Sequence, residues 1–195
     1  MQIARATVVG CAAASLVVGA VTTGCSSEKG SSPSGSVSTT AITSGAPLQD
    51  YTALLINATD IGADYTAPQP ATQNPNGAAG VQQLFANADS SRRIGDAILL
   101  ALNPDLAAAG VAKTKTNYAS KVSGDWAPVD VGTNGTIISA TSADNTQAIT
   151  VLLFSEGKAL VSLEFDSAPG DPIDAGFATD VGRKQDAAIK ANLPN

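Results

Sequence analysis

The sequence predicts an α+β fold, in which an antiparallel β-sheet of about five to six strands packs with about two to three helices. Residues 135–166 contain three strand-like runs joined by short turns, and such turns connect antiparallel neighbours. Helix starts at Asn103-Pro104 and at Asp171-Pro172 each combine a capping side chain with a proline. Residues 48–195 have the length of a single domain, so we expect one hydrophobic core.

Residues 1–24 have the pattern of a lipoprotein signal peptide. Arg5 is followed by an uncharged, largely apolar stretch, residues 6–21, and then by small residues directly before Cys25. The stretch is shorter than a membrane-spanning helix requires. We therefore expect Cys25 to carry a thioether-linked diacylglycerol that anchors the protein at the extracytoplasmic side of the cell membrane. The alternative is an ordinary secreted protein with a free Cys25 thiol.

Residues 25–47 are rich in Ser, Thr, Gly and Pro and contain two charges. A segment of this composition cannot bury enough apolar surface to offset the entropy of ordering it. We expect a disordered tether that holds the domain off the membrane.

The first half of the domain predicts one helix and two strands. Leu48, Tyr51 and Leu54 have helical spacing, which favours a helix from Leu48 to about residue 56. The Pro-, Asn- and Gly-rich residues 66–79 indicate an exposed loop. Strands follow over residues 81–88 and 93–102. In the second strand Asp96 interrupts an apolar face that continues to Leu102.

The second half predicts two longer helices and a strand-rich run. A helix begins after Asn103 and ends at Gly124, and the last helix begins at Asp171-Pro172. Between them lie strands over residues 135–141, 147–154 and 159–166. Residues 149–154 are apolar on both faces, which indicates a central strand, whereas residues 159–166 alternate and predict one buried and one partly wet face.

Charge and residue types exclude several classes of function. The chain has 11 basic and 17 acidic residues, and loss of Arg5 with the signal peptide changes the net charge from −6 to −7. Such a surface repels nucleic acid, so we expect no nucleic-acid partner. The chain has no histidine, which removes the commonest catalytic base and most zinc sites. We expect no enzyme activity, no cofactor and no metal.

Four acids occur near the end of the last strand: Glu164, Asp166, Asp171 and Asp174. Carboxylates of this kind bind Ca²⁺ or act as catalytic pairs, but the spacing of a calcium loop is absent. We favour structural roles, with Glu164 on the wet face of a strand, Asp171 as a helix cap and Asp174 in the first helical turn.

Three other positions have a structural and a functional interpretation. Asp96 either lies near a cleft or, as we favour, faces solvent at an edge or accepts a hydrogen bond. Trp126 is interpreted as a lid on the core rather than a platform for a ligand. Arg92 and Arg93 are interpreted as solvated charges of a turn.

The chain resembles the mycobacterial LpqN-type lipoproteins, whose domain is a Mog1/PsbP-like sandwich. The resemblance is carried by Cys25 with its tether, the paired runs 151–154 and 160–165, and the helix after Asp171-Pro172. It implies a binding or interaction protein of the cell envelope. The extracellular sensor-type domains of actinobacteria are a second resemblance, carried by residues 54–56 and 60–62. Those domains often contain disulfides, which this domain lacks.

Two functions follow as hypotheses. The first is a monomeric, non-catalytic binding module, attached to the membrane through Cys25, whose partner is an envelope protein or lipid. The second is a carrier of lipid or another apolar ligand in a cavity between sheet and helices, for which the small residues 107–110 would leave room. An interior void of several hundred cubic ångströms would favour the carrier. A filled core with an apolar surface patch would favour the binding module.

Overall fold

The computed structural model describes residues 49–193, so the predicted signal peptide, the tether and Cys25 lie outside the described part of the chain. Within it, helices pack on both faces of an antiparallel sheet, which confirms the α+β class. No helix in this part is long and apolar enough to cross a bilayer. In chain order the strands are β1 (Tyr65–Thr66), β2 (Thr72–Gln73), β3 (Gly80–Asn87), β4 (Arg93–Leu100), β5 (Ala127–Pro128), β6 (Thr133–Thr141), β7 (Ala148–Glu156) and β8 (Ala159–Ser167). The helices are α1 (Ala58–Ile61), α2 (Pro104–Tyr118) and α3 (Ala175–Asn192).

The sheet has eight strands, more than the five to six predicted, in the order β1-β3-β4-β8-β7-β6-β5, with β2 also paired to β3. Its body consists of five strands of eight or nine residues. The other three strands are two-residue pieces that pair with β3 or β6, at the two sides of this body. Pieces this short have no alternation of side chains to detect, so the sequence pattern did not predict them.

Strand β7 lies between β6 and β8 and is buried on both faces, as its apolar sequence predicted. Leu152 and Phe154 belong to the core cluster on the side of α3. Val151 and Leu153 belong to a second cluster on the side of α2. Successive residues of a strand point to opposite faces, so this single strand supplies both cores.

The start of α2 is confirmed and its end is not. The Asn103 side chain accepts a hydrogen bond from the Leu106 amide at 2.9 Å, and Pro104 is the first helical residue. The helix ends at Tyr118 rather than at Gly124. The chain turns there, with the Val122 amide bonded to the Tyr118 carbonyl, and this turn brings Val122 back into the core.

The prediction that Asp171 caps the last helix is wrong by three residues. Asp174 caps α3, and its carboxylate accepts a hydrogen bond from the Phe177 amide at 3.0 Å. The intervening Ile173 is buried in the core, and its carbonyl accepts a hydrogen bond from Thr150 at 3.1 Å. Burial of Ile173 therefore holds this part of the chain on the sheet before the helix can begin.

The helix predicted from Leu48 to about residue 56 is also wrong. The described chain there forms a short 3₁₀ turn at Thr52–Leu54, and α1 starts only at Ala58. The fully buried Gln185 of α3 donates a hydrogen bond to the Leu54 carbonyl and accepts one from the Ile56 amide. Because one distant side chain binds these backbone groups, they are not free for a helix.

Both long helices lie close to the sheet because each has a glycine against it. A β-carbon at Gly110 of α2 would lie 2.8 Å from Leu160, and one at Gly182 of α3 would lie 3.0 Å from Leu152. Real β-carbons essentially never approach as closely as 2.8 Å and seldom as closely as 3.0 Å, so neither glycine leaves unfilled space at its contact with the sheet.

Candidate functional site

The four acids singled out in the sequence do not form one site. Glu164 and Asp166 lie on the α2 side of β8, and Lys121 Nζ lies 3.1 Å from each Glu164 oxygen. Asp171 instead pairs with Arg92 at 2.9 Å, and Asp174 is the helix cap. Within residues 49–193 no group of three or more His, Cys, Asp or Glu side chains is arranged to hold a metal ion.

The polar side chains of β8 form a row of matched pairs. Ser162 is hydrogen-bonded to the Tyr118 hydroxyl at 2.9 Å, and Asp166 pairs with Arg93 at 3.4 Å. Burial, followed by the neighbouring Glu164 carboxylate, raises the pKa of Asp166. Arg93 is thus an ion-paired strand residue and not the solvated turn charge that was predicted. Because each charge in the row has a partner, the row is suited to hold strands and helix together.

Trp126 has the predicted role of a lid. It is partly buried on the α2-side core, and its ring meets that of Tyr118 edge to face at 6.4 Å. Such an arrangement is typical of aromatic packing in a core.

Asp96 is buried, contrary to the prediction that it faces solvent or accepts a hydrogen bond. It is 1% exposed, on the α3 side of β4 between Gln83 and Leu163. Neither carboxyl oxygen has a hydrogen-bond partner among the described residues. Burial raises the pKa of Asp96 to about 8, so the group is mostly uncharged at neutral pH.

A groove of about 300 Å³ lies where the two ends of the described chain meet the sheet. Residues 49–51, 53 and 54, Ala79 and residues 100–102 line it, together with Lys158 and the end of α3. Its volume is at the lower limit for a small-molecule site and is sufficient for one or two apolar side chains. A smaller pocket of about 170 Å³ lies between α2 and β6.

Hydrogen bonds fix the walls of this groove. The Leu100 amide donates to the Ala79 carbonyl and the Ala101 amide to the Lys158 carbonyl, both at 2.8 Å. On the other wall the Asp50 carboxylate accepts hydrogen bonds from Thr52 and from the Gln73 side chain. The backbone amide of Thr52, more than the other donors, lowers the pKa of Asp50. The groove is therefore a preformed feature of the fold.

Large apolar side chains lie in and beside the groove. Tyr51, Leu54, Leu100 and Leu193 line it, and Leu102 protrudes from its edge with 92% of its surface exposed. Four residues further along the chain, in the first turn of α2, Leu106 is 52% exposed. Both are leucines that the folded domain leaves in water.

The sequence interpretation missed this surface because it assigned Leu102 to the buried face of the second strand. Strand β4 ends at Leu100, since Ala101 already bonds to the turn at Lys158. The signal was the position of Leu102 directly before the helix cap Asn103, where an apolar residue has no element to pack against.

Known proteins give this chain a weak structural similarity and no family. No protein-family model matches the chain, and no curated protein is similar to it in sequence. Among solved structures, the extracellular domain of PknH from Mycobacterium tuberculosis is similar at 12% identity and a TM-score of 0.48. The similarity covers 72% of this chain and 95% of that one. A similarity of this degree determines neither family nor function.

Proposed function

We propose that this chain is an exported lipoprotein and that its domain is a non-catalytic binding module of the cell envelope. The lipid on Cys25 anchors it at the extracytoplasmic face of the membrane, and the groove receives an apolar group of a partner. The signal pattern around Cys25 and the polar tether support the location. We also propose that the domain is related to the LpqN-type lipoproteins and shares their Mog1/PsbP-like sandwich fold.

The observation that carries the binding role is the exposure of Leu102 at the edge of a preformed apolar groove. Full burial of a leucine side chain contributes about 1.5–3 kcal/mol. The folded domain does not gain this contribution from Leu102, whereas a partner that covers the side chain would. A single exposed leucine is common on protein surfaces, but Leu102 lies together with Leu100 and Leu193 at one groove, and grouped apolar side chains indicate an interaction site.

The composition of the groove indicates the chemistry of the partner. Apolar side chains supply most of the walls, and Lys158 at the edge makes no ion pair among residues 49–193. The other charge in the lining, Asp50, already accepts hydrogen bonds from Thr52 and Gln73. An apolar side chain near a carboxylate that pairs with Lys158 fits these features, so we propose an envelope protein as the partner. Asp50 is the one acid among the described residues that line the groove, so the groove contains no pair of acids for general acid–base chemistry.

The carrier function is less well supported. It requires a cavity between sheet and helices, but Gly110 and Gly182 are in close contact with sheet leucines. At these two contacts the helices pack closely on the sheet, and the pocket between α2 and β6, at about 170 Å³, is smaller than a small-molecule site. We propose a monomer that does not bind nucleic acid, in keeping with its acidic charge.

Photo-crosslinking tests the binding role. A benzophenone amino acid is placed at position 102 of the full-length chain in its native host, and at the exposed position 116 of α2 as the matched control. We expect one protein to be crosslinked from position 102 and not from position 116. Equal crosslinking from both positions would contradict the proposal, and stoichiometric lipid bound to the purified protein would favour the carrier.

A further inference from the structure

The outer edge of β6 is only half covered. On its inner side β6 pairs with β7 from Thr136 to Thr141. On its outer side β5 pairs with Thr136 and Ile137 alone. Among the described residues, no strand therefore pairs with the outer edge of residues 138–141, although the neighbouring half of the same edge is paired.

The pairing of β5 shows which backbone groups face outward. Pro128 lies opposite Thr136, and the Val129 amide donates to the Gly135 carbonyl at 3.0 Å, so Pro128 and Thr136 form a non-hydrogen-bonded pair. The next pair, Ala127 and Ile137, is then hydrogen-bonded. Because both backbone groups of a strand residue point to one side and the side alternates, the outward residues that follow Ile137 are Ser139 and Thr141.

Ser139 and Thr141 are exposed, and their amides and carbonyls make no bond with other residues in the described range 49–193. Two N–H and two C=O groups thus lie along one edge, with a repeat of about 6.8 Å. The geometric complement of such a row is the backbone of another extended strand.

This edge is short, but it lacks the side-chain blocks that usually prevent pairing. Natural edge strands are blocked by charges, prolines, bulges or covering segments. The outer edge of β3, on the other side of the sheet body, is covered at both ends by β1 and β2. Residues 138–141 contain neither a charge nor a proline.

We propose that residues 138–141 bind an extended segment of a partner protein by β-strand addition. Ala140 belongs to the α2-side core with Trp126, so the peptide residue beside it should be apolar. Exposed acids lie at both ends of the edge, Asp125 before Trp126 and Asp144 in the turn after β6. A peptide with an apolar centre and basic flanking residues matches this arrangement.

The same acids disfavour a second copy of this chain as the occupant. A two-fold pairing centred on Ala140 would satisfy the free groups of Ser139 and Thr141 in both copies. It would also bring the acidic ends of the two edges, which contain Asp125 and Asp144, towards each other. Like charges in opposition destabilise strand pairs, whereas basic flanks on a peptide would stabilise them.

The test uses the complete mature chain, labelled for NMR, and the capped peptide Lys-Thr-Val-Thr-Lys as the probe. We expect saturable shifts of the Ser139 and Thr141 amides with a Kd below about 5 mM, and slower hydrogen exchange at both. The matched peptide Glu-Thr-Val-Thr-Glu should bind about tenfold more weakly, since its charges are reversed.

Paired variants test the backbone bond directly. Ser139→Pro removes the outward N–H without a loss in the β6–β7 ladder, whereas Ser139→Ala retains it. The proline should weaken the peptide about tenfold and the alanine less than about twofold. If Ser139→Pro does not fold, Thr141→Pro replaces it. Three results would overturn the proposal. The peptide could cause no saturable shifts, it could shift only residues of the groove at Leu102, or both amides could be protected by dimerisation without peptide.

Discussion

Replacement of Asp96 by asparagine should remove most of the pH dependence of stability between about pH 4 and pH 8. The carboxyl is 1% exposed and has no hydrogen-bond partner among the described residues, and burial raises its pKa to about 8. In the unfolded chain the same group titrates near its ordinary pKa of about 3.9. The folded state therefore binds the proton more tightly than the unfolded state.

The sign and size of the effect follow from this difference. Stability contributed by the protonated carboxyl is fully present below about pH 4 and is lost as the pH rises towards about 8. Each pKa unit corresponds to about 1.4 kcal/mol, so the free energy of unfolding should decrease by about 4 kcal/mol between acid and pH 7. The amide side chain introduced by Asp96→Asn does not titrate, so that variant keeps only the pH dependence contributed by the other groups, among them Asp166, whose pKa is also raised by burial.

Urea unfolding of the wild type and of Asp96→Asn is measured at several pH values from about 4 to about 8. It gives the difference between their free energies of unfolding at each pH. The asparagine leaves polar atoms buried at every pH, so the test is the slope of the difference and not its absolute value. We expect the slope to be about 1.4 kcal/mol per pH unit between about pH 5 and pH 7. Asp130→Asn, outside the buried core, controls for the loss of one negative charge.

A difference that stays constant with pH would refute this account of Asp96. It would mean that the carboxylate is ionised in the folded protein at neutral pH, and hence that water or a charged group reaches it. A slope of the opposite sign would mean that a positive group stabilises the ionised form.

Three further predictions concern the fold and the anchor. Gly132→Ala should lower the free energy of unfolding in urea by about 3 kcal/mol, because the residue has a φ of +53° and a β-carbon would lie 2.6 Å from a buried phenylalanine ring. Gly170→Ala, at a φ of +81° with no atom within 4 Å, should cost about 1 kcal/mol, and equal losses would contradict the steric argument. Gln185→Leu should destabilise the domain by about 2–4 kcal/mol, since two buried hydrogen bonds are lost. It should also expose residues 49–56 to proteases, and unchanged proteolysis would show that other contacts hold this segment. Cys25→Ala should move the exported protein from the membrane fraction to the soluble fraction, and continued membrane association would contradict lipid anchoring.

The sequence predicted those elements whose signals are local. The hairpins formed by β3–β4, β6–β7 and β7–β8 were recognised from alternating side chains and turn residues that lie within a few positions of each other. Likewise, Asn103 and Pro104 are adjacent to the helix they start. Each of these predictions depended on information inside the element itself.

Other features depend on distant contacts. The conformation of residues 49–56 is held by Gln185, more than a hundred residues away, and the start of α3 is set by the burial of Ile173. Asp96 is a different case. It lies two positions from both Ile94 and Ile98 in the same strand, so its side chain points to the same face and towards the core. The alternation of side chains along β4 therefore predicts a buried Asp96, whereas the usual preference of aspartate for solvent predicts an exposed one.

The groove could be predicted only in part. Leu100 continues the alternation of β4, but the end of the strand depends on the bond between Ala101 and Lys158 in another hairpin. The exposure of Leu102 follows from that bond. The remaining wall comes from the other end of the chain at Leu193, and no sequence pattern connects these segments.

The most direct test of the binding role is a comparison of stability and partner recovery for Leu102→Ser in the acylated full-length protein. Since Leu102 is 92% exposed, we expect the free energy of unfolding to change by less than about 0.5 kcal/mol. Recovery of the partner identified by crosslinking from position 102 should fall at least about tenfold, because the apolar contact contributes about 1.5–3 kcal/mol. Unchanged recovery of that protein, or a loss of stability of about 2 kcal/mol, would contradict the account.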